Sequence, residues 1–146
     1  MGKFKYIPCD IYKRGITVFV GTLCEMKSWV SKNYTDDDEK DFVDMVMSLR
    51  DGDHTAASFS YNSADGEGIV LIPRIPNTPK EHAMLSHELL HAAFHLLGFC
   101  RVEFSYGGSN EPYAYLLEHL TRNALEKSGY EDAILWYGDE GDGFRI

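Results

Sequence analysis

Cysteine is scarce in this chain. Cys9, Cys24 and Cys100 are odd in number and lack C-x-x-C spacing, which argues against a disulfide framework and against a thiolate zinc site. All three read as buried, reduced thiols. Positive charge is also short: 14 Lys and Arg stand against 23 Asp and Glu, for a net charge of −9 and a sequence pI near 5.0. Binding to nucleic acid depends on Lys and Arg neutralising phosphates, so no nucleic-acid partner is expected. No apolar run reaches the roughly 18 residues that a membrane helix needs. Met1-Gly2-Lys3-Phe4-Lys5 leads into polar and aromatic residues, not into an apolar secretory core. A soluble protein made in the cytoplasm, with no membrane partner, is the expectation. Internal repeats and low-complexity linkers are absent as well. At 146 residues and 44% hydrophobic, the chain has material for one core, so residues 1–146 read as a single domain.

What is present begins with strand-forming sequence. Lys3 to Tyr12 and Ile16 to Gly21, rich in aromatic and β-branched residues and separated by Lys13-Arg14-Gly15, predict a β-hairpin. Thr22-Leu23-Cys24-Glu25 is a capping-box pattern and predicts a helix to about Lys32. Thr35-Asp36-Asp37-Asp38 offers a second helix start, running to about Arg50 and stopping near Gly52. Thr55 to Tyr61 and Gly68 to Pro73 predict two strands joined by the turn-prone Asn62-Ser63-Ala64-Asp65-Gly66. Thr78-Pro79-Lys80-Glu81 then combines an N-cap, a proline at the first helical position and a glutamate at the third, with Gly98 as the expected stop. A loop over Arg101 to Ser109 leads to a last helix from Glu111 to Ser128, closed by Gly129. Ile134-Leu135-Trp136-Tyr137 is apolar enough to pack back on the body, ahead of an acidic tail from about residue 138 to 146. The acidic runs Asp36-Asp37-Asp38-Glu39 and Asp139-Glu140-Gly141-Asp142 read as solvated faces or helix-start charge, since their spacing matches no calcium loop. The expected fold class is α+β, a small mixed or antiparallel sheet packed on helices.

The chemistry is concentrated in His87-Glu88-Leu89-Leu90-His91, an H-E-x-x-H segment inside a helical stretch. Residues four apart on a helix lie one turn above each other, so both imidazoles can converge on one ion, for which zinc is the usual occupant. Glu88, turned about 100° from His87, is set to reach a water held at the ion and not the ion itself. Ala83, Met84, Leu85, Leu89, Leu90, Ala92, Ala93, Phe94, Leu96 and Leu97 occupy nearly the whole circumference of this helix and predict that it is buried. Unpaired polar groups are costly to bury, which favours a functional triplet over a solvated helix face. His95 continues the series, but two steps of four residues drift about 80° around a helix. It therefore reads as a neighbour of the site more than as a ligand, and His54, His82 and His119 read as surface residues.

A catalytic zinc needs a third protein ligand and an open position. Glu111, twenty residues after His91, is the best candidate. It shares a helical stripe with Ala114, Tyr115, Glu118, Arg122 and Leu125, and that stripe would bring a carboxylate to the ion if it faced the first helix.

On these residues the chain resembles the gluzincins, the thermolysin-like branch of the zincin metallopeptidases. Two H-E-x-x-H histidines and a glutamate about twenty residues later bind zinc in that family, and Asn110-Glu111 stands where an Asn-Glu pair occurs. The likeness covers about residues 66 to 128. The runs His-Glu-Leu-Leu-His-Ala and Asn-Glu-Pro-Tyr-Ala-Tyr are also similar to small zincin-like proteins encoded by bacteriophages and prophages, whose setting would be a bacterial host's cytoplasm. The resemblance implies a zincin-like fold, Zn2+ as cofactor, His87, His91 and Glu111 as its ligands, and Glu88 as the catalytic base. It implies a peptide or protein substrate and a strand near Ile69-Val70-Leu71-Ile72 at the edge of the cleft. Two features depart from the family. Tyr115 stands where an aspartate supports a zinc histidine, leaving Glu118 or a backbone carbonyl for that task. The large C-terminal domain that donates a transition-state hydrogen bond is missing, so Tyr106, Tyr113, Tyr115, His82 and His95 are the available donors. The rival expectations are a zinc-binding, virion-associated or regulatory protein without turnover, and a peptidase dedicated to one partner.

Overall fold

The computed structural model describes residues 2–50, 60–62, 66–105, 107 and 110–134. It is α+β, with a mixed sheet between two helical layers. Strands β1 (Lys3–Cys9) and β2 (Arg14–Val20) form the predicted hairpin, joined by a 3-10 turn over Asp10–Tyr12. Helix α1 (Leu23–Asn33) follows with its capping box intact: the Thr22 hydroxyl accepts from the Glu25 amide and the Glu25 carboxylate accepts from the Thr22 amide. A 3-10 turn over Asp37–Glu39 precedes α2 (Lys40–Met47), so the second helix is shorter than the sequence predicts. The short β3 (Ser60–Asn62) and β4 (Gly68–Ile72) complete the order β3-β4-β2-β1-β5, with β5 (Glu131–Asp132) on the far edge. The pairing of β2 with β4 is parallel and the other pairings are antiparallel.

The period-two alternation of the strands explains the layers. Ile16, Val18, Val70 and Ile72 point to one face, where they meet α3 (Pro79–Phe99) and α4 (Glu111–Leu125). Phe19, Ile69 and Leu71 point to the other, against Met26, Trp29, Val30, Phe42 and Val46 of α1 and α2. Strand β4 is therefore buried at every residue, which accounts for its unbroken apolar sequence. It also lies inside the sheet, paired on both sides, so the expected edge position is not its own; β3 is the edge strand on that side.

Helix α3 starts as its sequence requires. The Thr78 hydroxyl accepts from the Glu81 amide at 3.2 Å, and the Glu81 carboxylate reaches back to the Asn77 amide at 3.0 Å. Its end differs from expectation. The helix passes through Gly98, and the chain reverses at Arg101, whose φ of 62° is left-handed. The Arg101 amide donates to the Gly98 carbonyl and the Val102 amide to the Leu97 carbonyl, the paired bonds of a Schellman closure. Arginine here takes the place that glycine usually fills, so Gly98 is a helix residue and no stop. Helix α4 ends at Leu125, three residues early, where Lys5 of β1 donates its ammonium to the Asn123 and Glu126 carbonyls.

Of the three cysteines only Cys9 is buried; Cys100 is partly so and Cys24 lies exposed on the outer face of α1, because that position turns away from the sheet. All three are free thiols. Among the described residues no helix is long and apolar enough to cross a membrane. The strand expected from Thr55, the turn at 63–65, the apolar run from Leu135 and the acidic tail lie wholly or largely outside the described residues.

Candidate metal centre

Helix α3 buries one stripe and exposes the opposite one. Leu85, Leu89, Ala92, Ala93, Leu96 and Leu97 enter the core, whereas His87, His91 and His95 face outward, with Leu90 and Phe94 part-exposed beside them. The expectation of a helix buried all round is thus corrected. Its apolar residues outnumber the places the sheet offers, so the surplus lines a surface recess.

On that outward face His87 and His91 come together. Their Nε2 atoms are 3.2 Å apart and their ring centroids 4.8 Å apart, at 73°. Zinc–nitrogen bonds of about 2.0–2.1 Å at a tetrahedral angle separate two ligand nitrogens by about 3.3 Å. The separation of the pair lies within about 0.1 Å of that spacing. The same separation suits one N–H···N hydrogen bond between neutral imidazoles, so the pair is also satisfied without an ion.

Glu88 is largely covered, its side chain 14% exposed, with Oε2 3.8 Å from His87 Nε2. It sits beside the pair. His95 stacks on His91 at 6.4 Å between centroids, too far for its ring to close on the same ion. Loss of hydration, and then the neighbouring His91 ring, hold His95 below the ordinary imidazole range.

Glu111 is not brought to this pair. Among the described residues no three His, Cys, Asp or Glu side chains form a group able to hold a metal. The reason lies in the orientation of α4. Tyr113, Leu116, Leu120 and Ala124 are its buried stripe, so the stripe bearing Glu111, Ala114, Tyr115 and Glu118 faces outward. Glu111 lines a separate cavity near Asp10 and His119, and Glu118 pairs with Arg122 at 3.1 Å.

The other expected donors disperse. The Tyr113 hydroxyl donates to the Val102 carbonyl at 2.5 Å, Tyr115 opens to solvent, His82 is exposed, and Tyr106 lies outside the described residues, as does His54. His119, read as a surface residue, is partly buried and bonded through Nε2 to the Pro8 carbonyl at 2.9 Å. One feature beside the pair had no motif to announce it. Leu90, Phe94, Phe104, Tyr113 and Leu117 line an apolar cavity of about 310 Å3, its three rings in mutual contact at 4.7 to 5.5 Å. A cluster of Phe and Tyr on either side of a glycine-rich loop was its only trace in the sequence.

Compared with protein-family models, curated proteins and solved structures, the chain matches none. The residues and their geometry therefore carry the functional reading alone.

Proposed function

We infer that the chain is a zinc-dependent metallopeptidase of zincin-like fold, acting on a peptide or protein, with His87 and His91 on the ion and Glu88 as general base. The observation that carries this reading is the 3.2 Å separation of the two Nε2 atoms with the Glu88 carboxylate alongside. Bound zinc would supply a more acidic water and a polarised scissile carbonyl. Glu88 would hold the proton of the attacking water on its carboxylate and pass it to the leaving amine. Its partial burial keeps that carboxylate in one place and short of competing solvent. The apolar recess at Leu90 and Phe94, on the next stripe of the same helix, suits an apolar substrate side chain. Glu111 is the third donor by resemblance, and it could serve only if the start of α4 turned toward α3.

A second reading keeps the metal without turnover, as a zinc-binding protein of phage, virion or regulatory type. The outward position of the histidine pair, and the lack of a third donor grouped with it among the described residues, favour this rival.

Glu88→Gln separates the two. The amide cannot take up a proton at neutral pH, so the variant should keep its zinc and its fold and lose hydrolysis. Wild type, Glu88→Gln and chelated wild type would be compared on a mixed peptide library by mass spectrometry. Cleavage that persists in Glu88→Gln overturns the role of this residue. No cleavage by zinc-loaded wild type favours the second reading.

A further inference from the structure

A second cavity, of about 450 Å3, lies between the Asp10–Tyr12 turn and the first turns of α4. This is within the size range of ligand sites. The histidine pair and Glu88 make no use of it, and Glu111 lines it as long as α4 keeps this orientation. Ile11, Tyr12, Tyr115 and Leu116 give it apolar walls, and the exposed Asp10 and Glu111 also line it.

Two further polar side chains of the lining, His119 and Cys9, are not free to take a ligand's charge. His119 Nε2–H donates to the Pro8 carbonyl at 2.9 Å and its Nδ1 faces the Asn123 amide at 3.4 Å, so this ring ties α4 to the end of β1. The Cys9 thiol is pushed up to about 11, by burial first and by the charge of Asp10 second, and stays neutral. Asp10 and Glu111, by contrast, have no ion-pair partner among the described residues. At the mouth, Ile11 is 82% and Tyr115 68% exposed, two large apolar side chains left in water next to these carboxylates.

We propose that this cavity binds a segment of a partner protein, which inserts a lysine or arginine side chain toward Asp10 and Glu111 and lays an adjoining apolar residue on Ile11 and Tyr115. A basic side chain matches both surfaces at once: its aliphatic stem lies along apolar walls while its head reaches the carboxylates. The net charge of −9 favours approach of a basic partner. Nothing in this assignment depends on zinc, and its test involves no hydrolysis.

The uniformly 15N-labelled full chain would be titrated with acetyl-Phe-Arg-amide, with its neutral isostere acetyl-Phe-citrulline-amide and with phenethylamine. The arginine peptide should shift the amides around Asp10–Tyr12 and Tyr115–His119, and citrulline should bind about tenfold more weakly, the value of one charge-assisted hydrogen bond. Asp10→Asn should weaken the arginine peptide by about the same factor, with zinc content and thermal unfolding unchanged. Ile11→Ser should weaken both peptides alike, and His87→Ala neither. Equal binding of citrulline, shifts that avoid the cavity, or no shifts at millimolar peptide would overturn the proposal. Phenethylamine binding as tightly as the peptide would overturn the partner segment in favour of a small amine.

Discussion

Replacing His87 by alanine tests the metal pair with little risk to the fold. The His87 side chain is 67% exposed and, among the described residues, meets His91 and Glu88, so no core packing is lost. Alanine is also the better helix former, by up to about 0.7 kcal/mol. Thermal unfolding of the zinc-free variant should therefore match wild type or rise slightly. Zinc affinity should behave very differently. The two Nε2 atoms stand within about 0.1 Å of the spacing a tetrahedral zinc requires, because consecutive turns of α3 hold the rings before any ion arrives. Removing one ring removes both a ligand and this preorganisation. Changes to groups that merely support a ligand cost about 10- to 100-fold in metal affinity, so loss of a ligand should exceed about 100-fold, equivalent to more than about 2.7 kcal/mol. Competition against a chromophoric chelator measures this directly, and cobalt substitution reports on geometry through its visible absorption. An affinity within about threefold of wild type, well below the 10-fold floor for a supporting group, would refute the argument. The 3.2 Å contact would then be a hydrogen bond between surface histidines and nothing more.

The third donor is open to the same assay. If Glu111 reaches the ion, Glu111→Ala should lower zinc affinity more than about 100-fold, and Glu118→Ala by no more than the 10- to 100-fold of a supporting group; equal and negligible effects would leave the site to the histidine pair. Leu89→Ala removes a side chain with no solvent exposure at the centre of the α3–sheet contact and should destabilise the protein by about 2–5 kcal/mol in urea unfolding. A cost below about 1 kcal/mol would mean that this core is loosely packed. Arg101→Gly relieves the left-handed φ of 62° and should raise stability by up to about 1 kcal/mol by the same measurement. A loss instead would show that Arg101 makes contacts worth more than its backbone strain.

The parts of the fold that depend on local chemistry were legible. The capping box at Thr22, the Thr78-Pro79-Glu81 start of α3 and the β1–β2 hairpin all rest on residues a few positions apart, and each forms as its sequence implies. The sheet order was not legible, because the parallel pairing of β2 with β4 joins segments about fifty residues apart, and no local signal encodes such a partner. Strand β5 is two residues long and lies outside any periodicity. The end of α3 was misread for a related reason. Glycine is the usual left-handed residue after a helix, yet here the tertiary structure holds arginine in that conformation, and propensity yields to packing.

The candidate site was legible only where one helix builds it. Spacing of four residues on α3 is enough to bring His87 and His91 together, because the helix sets their separation regardless of what surrounds it. The third ligand depends on how α4 is rotated, and that is decided by burial. Two stripes run along α4: Glu111, Ala114, Tyr115, Glu118 and Arg122 on one, and Tyr113, Leu116, Leu120 and Ala124 on the other. The second is the more apolar, and each of its members is buried. Turning Glu111 toward α3 would expose Leu116 or Leu120, at about 1.5–3 kcal/mol for each side chain, more than a pair of surface histidines can return without an ion. Zinc binding could supply that much and more. If Glu111 does complete the site, the rotation of α4 must therefore be coupled to the metal. Zinc should then change hydrogen exchange at Leu116 and Leu120, whose packing that rotation disturbs, and leave it unchanged if the histidine pair binds alone.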